Sequence, residues 1–139
     1  KKLVYLILCS FLRGEIMSCS RGEIKIKEIL EMNGLNFQQE YSFPDLISSS
    51  RRALRFDFAV FDDDGNVDFL IEYQGEQHYE AFKHFGGKRN LARQQYNDNQ
   101  KRIYCARKEI PLVIIPYWKF IELDYDLIIN CAYNGGGVV

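Results

Sequence analysis

Paired cysteines are missing from this sequence. Its four cysteines are Cys9, Cys19, Cys105 and Cys131. No two of them, and no cysteine with a histidine, have the short spacing of a zinc-binding motif. The pattern therefore indicates neither a zinc site nor a disulfide framework. Reduced thiols, as in a cytoplasmic protein, are expected.

Long apolar segments are missing as well. The apolar run at residues 3–12, LVYLILCSFL, is too short to span a bilayer. Two lysines precede it as in a signal peptide, but no small-residue cleavage site follows. The sequence therefore predicts no membrane partner. It also shows no internal repeat and no interdomain linker.

The chain has little net charge, −1 over 139 residues, which neither demands nor excludes a polyanionic partner. Its hydrophobic content of 47% and aromatic content of 14% are typical of a globular domain. The charge is unevenly distributed, because residues 83–108 hold eight basic residues and one acidic residue, whereas residues 62–80 are acidic. A basic stretch beside an acidic pocket suits an enzyme that binds a phosphate backbone and holds a metal. The alternative for the basic stretch is a solvated helix face.

Periodicity and turn residues predict an α/β (α+β) fold, with a mixed sheet of about four strands, a central hairpin and flanking helices. Ser20 and Glu23 form a capping box that begins the first helix. The domain boundaries are predicted at residues 1–19 (an N-terminal extension), 20–133 (the folded domain) and 134–139 (a flexible tail). The predicted elements are a helix to about residue 33, a strand at 35–43 ended by a proline, a hairpin of 54–61 and 67–74, a helix at 88–108, a buried strand at 112–115 and a helix at 121–132.

The hairpin carries the most informative pair of residues. Asp64-Gly65 predicts a two-residue type I′ turn, and the apolar alternation on both sides predicts an antiparallel pair with one buried face. In that register Asp57 faces Glu72. Two opposed carboxylates repel each other, so a divalent cation such as Mg²⁺, Mn²⁺ or Ca²⁺ would stabilise the pair. The alternatives are a solvated acidic turn, or a pair offset by the nearby Arg55.

Three further residues could take part in chemistry. Glu23 shares a helix stripe with apolar residues and so faces the sheet, although the capping box alone explains a glutamate there. His78 follows the Glu72 strand and could act as a general base or as a donor to a phosphate oxygen; the alternative is an ordinary loop histidine. Asp98 lies mid-helix among basic residues, where an intrahelical salt bridge also explains it.

Together these residues resemble a nuclease motif. Asp57 followed by Glu72-Tyr73-Gln74 resembles the D…ExK core of the PD-(D/E)xK nucleases, with Gln74 where lysine is usual. With Glu23 before this core and His78 and Asp98 after it, the order resembles the EDxHD branch, which comprises phage-type homing endonucleases related to the very short patch repair endonuclease. The resemblance covers about residues 20–120 and is carried by the phrases SRGE, RFDF, IEYQGEQHY, NDNQKRIYC and IPYW.

This resemblance implies a restriction-endonuclease-like fold and Mg²⁺-dependent (or Mn²⁺-dependent) hydrolysis of double-stranded DNA by a homing or mobile-element nuclease. Asp57 and Glu72 would hold the metal, and His78 would accept a proton from water or steady the phosphate. Glu23 and Asp98 would orient these groups. The resemblance also implies a catalytic role for the position of Gln74, where lysine is usual.

The resemblance also leaves roles for the basic residues. Gln74 cannot supply the charge of the usual lysine, and its predicted cross-strand partner Arg55 could. The residues expected to contact the DNA backbone are Arg55, Lys88, Arg89, Arg93, Lys101 and Arg102. Residues 1–19 would be an extension or a remnant of an upstream DNA-binding element. A homodimer would explain double-strand cuts, and the location would be the bacterial host cytoplasm if the protein is phage-encoded.

Two alternatives remain open at this level. One is a catalytically inactive nucleic-acid-binding module of the same fold, and the other is an RNA-directed nuclease.

Overall fold

A computed structural model describes residues 20–79 and 87–139. The predicted N-terminal extension at 1–19 lies outside the described residues. In chain order the elements are α1 (Arg21–Met32), β1 (Asn36–Ile47), β2 (Ala53–Phe61), β3 (Val67–Gln74), α2 (Gly87–Lys108), β4 (Leu112–Pro116), α3 (Tyr125–Tyr133) and β5 (Gly137–Val138), with 3₁₀ turns at Glu76–His78 and Tyr117–Lys119.

The described strands form one five-stranded mixed sheet in the order β1-β2-β3-β4-β5. The pairs β1–β2 and β2–β3 are antiparallel, and the pairs β3–β4 and β4–β5 are parallel. This confirms the predicted mixed sheet flanked by helices, with the hairpin inside it. The fifth strand comes from the predicted flexible tail, which instead pairs with β4: the Val139 N–H donates to the Ile114 carbonyl oxygen at 3.1 Å.

The hairpin keeps its predicted register, although its turn is different. Asp62 accepts hydrogen bonds from the backbone N–H groups of Asp64 and Asn66, and among the turn residues only Gly65 has a positive φ, 81°. A type I′ turn needs positive φ at both central residues, so that prediction is wrong. The Asp62 N–H instead donates to the Asn66 carbonyl, which closes a three-residue loop.

A bulge compensates for the longer loop. Phe61 pairs with Val67, one residue out of the predicted register, but the next pair is Val60 with Phe69. The irregularity leaves one extra residue, Asp68, on β3 and restores the predicted pairing from Val60 to Phe58, where the ladder ends.

Helices cover both faces of the sheet. The buried side chains form two cores, one on each face of the sheet. The first core includes residues of α1 and α3, whereas the second includes Tyr104 and Cys105 of α2. The prediction of a single buried face is therefore wrong. Phe56 packs in the second core and Phe58 in the first, so β2 changes face at the residue between them.

Strand β1 also differs from its prediction, because it continues through Pro44 to Ile47. It lies at the edge of the sheet, where a proline costs no ladder hydrogen bond. No helix in residues 20–79 and 87–139 combines the length and apolarity needed to cross a membrane.

Candidate active site

The site lies where β2, β3 and α2 meet. Asp57 and Glu72 are on the two strands, and Asp98 and Lys101 are on the helix. Residues spaced by three and seven positions share a helix face, so Asp98 and Lys101 lie on the side of α2 that carries the buried Cys105. The helix therefore directs one carboxylate and one ammonium group toward the sheet.

Asp57 is the residue at which β2 changes face. The backbone ladder to β3 ends at the Phe58–Ile71 pair, and the Asp57 Oδ2 atom accepts the next N–H, that of Tyr73, at 2.7 Å. On β1, the strand that pairs with β2 on its other side, Glu40 has a left-handed backbone with φ 53°. Such a conformation is strained for a residue with a side chain, and strain of this kind is common at functional sites.

Burial raises the pKa of both carboxyl groups on the strands. It raises the pKa of Asp57 to about 7, a rise that the Tyr73 N–H opposes and the charges of Glu23 and Glu40 increase. Burial likewise raises the pKa of Glu72 to about 8, and the charge of Asp57 adds to the rise. The two carboxyls therefore repel each other, as their predicted opposition implied.

Lys101 supplies the positive charge at this pair. Its Nζ atom donates to Glu72 Oε1 at 2.8 Å, and the two side chains are only 12% and 6% exposed. Burial acts to lower the pKa of Lys101, but attraction to Glu72, Asp57 and Asp98 outweighs it and raises the pKa. The expected contact of Lys101 with the DNA backbone stays a prediction; in this structure its ammonium group contacts Glu72.

A second group of side chains adjoins the pair. His78 Nδ1 and Asp98 Oδ2 are 2.9 Å apart, and the Gln74 Nε2 atom donates to the same oxygen at 3.4 Å. The Tyr79 hydroxyl donates to Gln74 Oε1 at 2.6 Å. Asp98 thus contacts His78, as expected, rather than forming an intrahelical salt bridge. Gln74, where the resemblance would place a lysine, links the Tyr79 hydroxyl to the Asp98 carboxyl through its amide group.

Glu23 closes the predicted capping box and also lies close to the carboxyls of the sheet. Its side chain accepts from the Ser20 N–H at 3.2 Å in a complete capping box. Its pKa is raised by burial and by the charge of Glu40. The helix is held against β3 by a close approach, since a Cβ atom on Gly22 would lie 2.1 Å from the Tyr73 ring. This packing brings Glu23 near enough to Asp57 to affect its pKa.

The remaining predicted residues lie outside this group. Arg55 is exposed, and the β2–β3 ladder ends at the Phe58–Ile71 pair without joining Arg55 to Gln74, so their predicted cross-strand pairing is wrong. The other basic residues predicted to contact DNA are exposed along α2: Lys88, Arg89, Arg93 and Arg102.

Sequence reasoning missed two residues that the structure brings to the site. From the sequence Lys101 is predicted only as a DNA contact and not as the partner of Glu72, and no role is predicted for Glu40. The spacing of Lys101 from Asp98, one helical turn, was the available signal for the first. No pattern in the sequence marks Glu40, because its left-handed backbone interrupts an otherwise ordinary strand.

The donor set suits a hard divalent cation. Within residues 20–79 and 87–139, no three His, Cys, Asp or Glu side chains are grouped to hold a metal ion by themselves. Mg²⁺ is commonly bound by one or two carboxylates while it retains several waters. Asp57 and Glu72 fit that arrangement, because their mutual repulsion is only partly offset by Lys101.

Comparisons with known proteins give little further guidance. No protein-family model matches the chain, and no solved structure matches it. A stretch of 49 residues is 45% identical to Uncharacterized protein 094L of Frog virus 3 (isolate Goorha). This stretch covers 34% of the chain and 32% of the viral protein, so the match spans about a third of that relative's length.

Proposed function

We propose that this protein is a metal-dependent endonuclease that hydrolyses phosphodiester bonds in double-stranded DNA, of the homing or mobile-element type. The observation that carries the proposal is the pair of carboxyls formed by the half-buried Asp57 and the buried Glu72, beside the hydrogen-bonded pair of His78 and Asp98. A cation site next to an oriented histidine suits the hydrolysis of a phosphate ester.

Asp57 and Glu72 would hold Mg²⁺ or Mn²⁺. When bound, the cation would polarise the phosphate and make a water molecule more acidic. Because burial and repulsion raise the pKa of both carboxyls, protons and the cation compete for them. Activity should therefore rise with pH as the two carboxyls become available.

His78 would move the proton. With Nδ1 donating to the Asp98 carboxylate, Nε2 is the ring atom that can accept a proton from water or contact a phosphate oxygen. Gln74 holds the same Asp98 oxygen from the other side, so the imidazole orientation depends on both residues. This arrangement supports a general base with a fixed tautomer.

Lys101 would replace the charge that Gln74 lacks. In the ExK motif the lysine lies two residues after the glutamate, whereas here the ammonium comes from α2 and binds that glutamate directly. Lys101 is thus a positioning residue, since it acts through Glu72. It lowers the pKa of Glu72 against the effect of burial and holds its carboxyl group in place.

The proposed partner is double-stranded DNA, bound along the exposed basic face of α2. The free thiols of Cys105 and Cys131 support action in a reducing compartment such as the cytoplasm. A homodimer would allow two sites to cut both strands.

A plasmid-nicking assay tests the proposal. Supercoiled DNA should be nicked or linearised in Mg²⁺ or Mn²⁺ and left intact in EDTA. Asp57→Asn should abolish cutting and His78→Ala should slow it strongly, whereas the replacement of an exposed aspartate in the β2–β3 loop, Asp63→Asn, should leave it unchanged.

The alternatives appear as distinct outcomes of the same experiment. DNA that is retarded on a gel but never cut would favour a binding module without catalysis. Cleavage of an RNA substrate alone would favour an RNA-directed nuclease. Cutting that persists in EDTA would contradict the proposed metal dependence.

A further inference from the structure

Three aromatic rings cluster beyond the carboxyl ends of β3 and β4, beside the site. The centroid of Tyr79 lies 4.8 Å from that of Trp118 and 6.0 Å from that of Tyr117, and the last two are 5.3 Å apart. Despite these contacts, Trp118 is 55% exposed and Tyr79 is 38% exposed. The cluster therefore presents aromatic surface to the solvent.

Parallel pairing explains why the rings meet. Strands β3 and β4 run in the same direction, with Gln74 opposite Pro116 at their carboxyl ends. The residues that follow the two strands therefore lie at the same end of the sheet. Tyr79 follows β3, and Tyr117 and Trp118 follow β4.

The cluster is joined to the proposed active site by hydrogen bonds. The Tyr79 hydroxyl donates to Gln74, whose amide nitrogen donates to Asp98, the residue that contacts His78. The Tyr79 ring is thereby connected through Gln74 to the residue that contacts His78, the proposed base. An exposed ring held this firmly loses little freedom when a flat group stacks on it.

We propose that the aromatic cluster of Tyr79, Tyr117 and Trp118 binds an unpaired nucleobase of the DNA, next to the bond to be cut. This proposal rests on the proposed nuclease function and names a preferred substrate for it. Every base has a π face, so stacking on an aromatic ring is independent of sequence. Such a cluster favours DNA with a bulged, frayed or single-stranded base over a perfect duplex.

The charges around the cluster favour a nucleic acid over an apolar protein segment. The positive charge of Arg102 acts on Tyr79, and Arg102 is exposed on α2, where it can meet a phosphate. An apolar segment covering the cluster would have to desolvate this arginine without compensation. A nucleotide supplies both a ring for the aromatics and an anion for the arginine.

Trp118 provides its own reporter, because it is the single tryptophan of the sequence. Its fluorescence is to be titrated in EDTA with three DNA oligonucleotides: a single strand, a perfect duplex and the same duplex with one unpaired base. We expect strong quenching by the single strand and the bulged duplex, and weak quenching by the perfect duplex. Equal quenching by all three, or none, would overturn the proposal.

A variant series gives a second test with DNA that contains 2-aminopurine at the unpaired position. Trp118→Ala should weaken binding of the bulged duplex by roughly 5- to 150-fold, the range expected for loss of one stacking contact, and leave the perfect duplex unchanged. Tyr133→Ala is the matched control, since Tyr133 is a 68% exposed aromatic residue on α3 beside Asp68. A loss that is equal for all DNA forms, or equal in the control, would contradict the proposal.

Binding in EDTA separates this inference from the proposed function. If no DNA is cut but Trp118 is still quenched selectively, the nuclease assignment fails and the base-binding cluster stands. If DNA is cut without any preference for unpaired bases and Trp118→Ala has no effect, only the cluster fails. Quenching by an RNA oligonucleotide and not by DNA would overturn the assignment to DNA.

Discussion

Replacing Lys101 with methionine tests the electrostatics of the site. Methionine keeps an unbranched apolar chain near Phe56, whose ring centroid lies 5.4 Å from Nζ, and removes the charge that Glu72 contacts at 2.8 Å. At pH 6 Glu72, with a pKa of about 8, holds its proton, so the variant should lose one hydrogen bond to a charged group, about 1.5–3 kcal/mol. At pH 9.5 the glutamate of the unaltered chain is ionised and paired, and the loss should grow toward about 3–5 kcal/mol because the variant must either bury that charge unpaired or bind a proton.

The direction of this pH dependence follows from proton binding. Glu72 has its pKa raised from 4.5 to about 8, so the folded chain holds this proton more tightly than the unfolded chain does. The stabilisation from this group is complete below pH 4.5 and falls as pH rises toward 8, by at most about 1.4 kcal/mol per pH unit. Lys101 lowers the pKa of Glu72, so its removal extends the fall to higher pH.

Urea unfolding at pH 6 and pH 9.5 measures the effect. Lys108→Met is the matched control, since Lys108 pairs with Asp45 at 3.2 Å but both side chains are about half exposed, and we expect almost no change. Adding Glu72→Gln to Lys101→Met should recover most of the loss at pH 9.5, because no buried charge remains. The reasoning is refuted if Lys101→Met costs no more than the control, or if its cost shrinks as pH rises.

Other consequences concern packing, proton transfer and DNA binding. Gly22→Ala should destabilise the fold by about 1–3 kcal/mol, because its Cβ would lie 2.1 Å from the Tyr73 ring, and unchanged urea unfolding would show that the contact is loose. His78→Ala should lower the single-turnover cleavage rate by roughly 10²–10⁴-fold, and Asp98→Asn by less, with no change in DNA affinity; a full rate in the His78 variant would remove it as the base. Arg93→Ala should raise the DNA dissociation constant and lower the log–log salt slope by about 0.9, while cut-site preference stays the same. A relaxed preference with an unchanged slope would mean that Arg93 contacts bases.

The turn and alternation patterns predicted the pairing of β2 with β3 correctly, because the error in the loop length is offset by a bulge. Asp64-Gly65 indicated a hairpin correctly, but Asp62 closes a longer loop by accepting two backbone N–H groups. The bulge at Asp68 restores the register from Val60 to Phe58. A turn motif therefore identified the paired strands, whereas the loop geometry depended on one aspartate side chain.

The site could be predicted only in part, since its contacts cross between distant elements. The order of the carboxylates and the histidine follows from the chain, and the contact of Asp98 with His78 was expected. The contact of Lys101 with Glu72 joins residues 29 positions apart and depends on how α2 lies across β3. Periodicity fixes which residues share a helix face and leaves open which strand that face meets. For the same reason the change of face at Asp57 could not be read from alternation.

Calorimetric titration with Mn²⁺ tests the central claim most directly, namely that Asp57 and Glu72 form the cation site of a nuclease. We predict that the unaltered chain binds Mn²⁺ at pH 8 and binds it more weakly at pH 6, because burial raises the pKa of both carboxyls. Asp57→Asn and Glu72→Gln should abolish binding, and Asp63→Asn should retain it. Absence of binding by the unaltered chain, or equal binding by Asp57→Asn, would contradict the account.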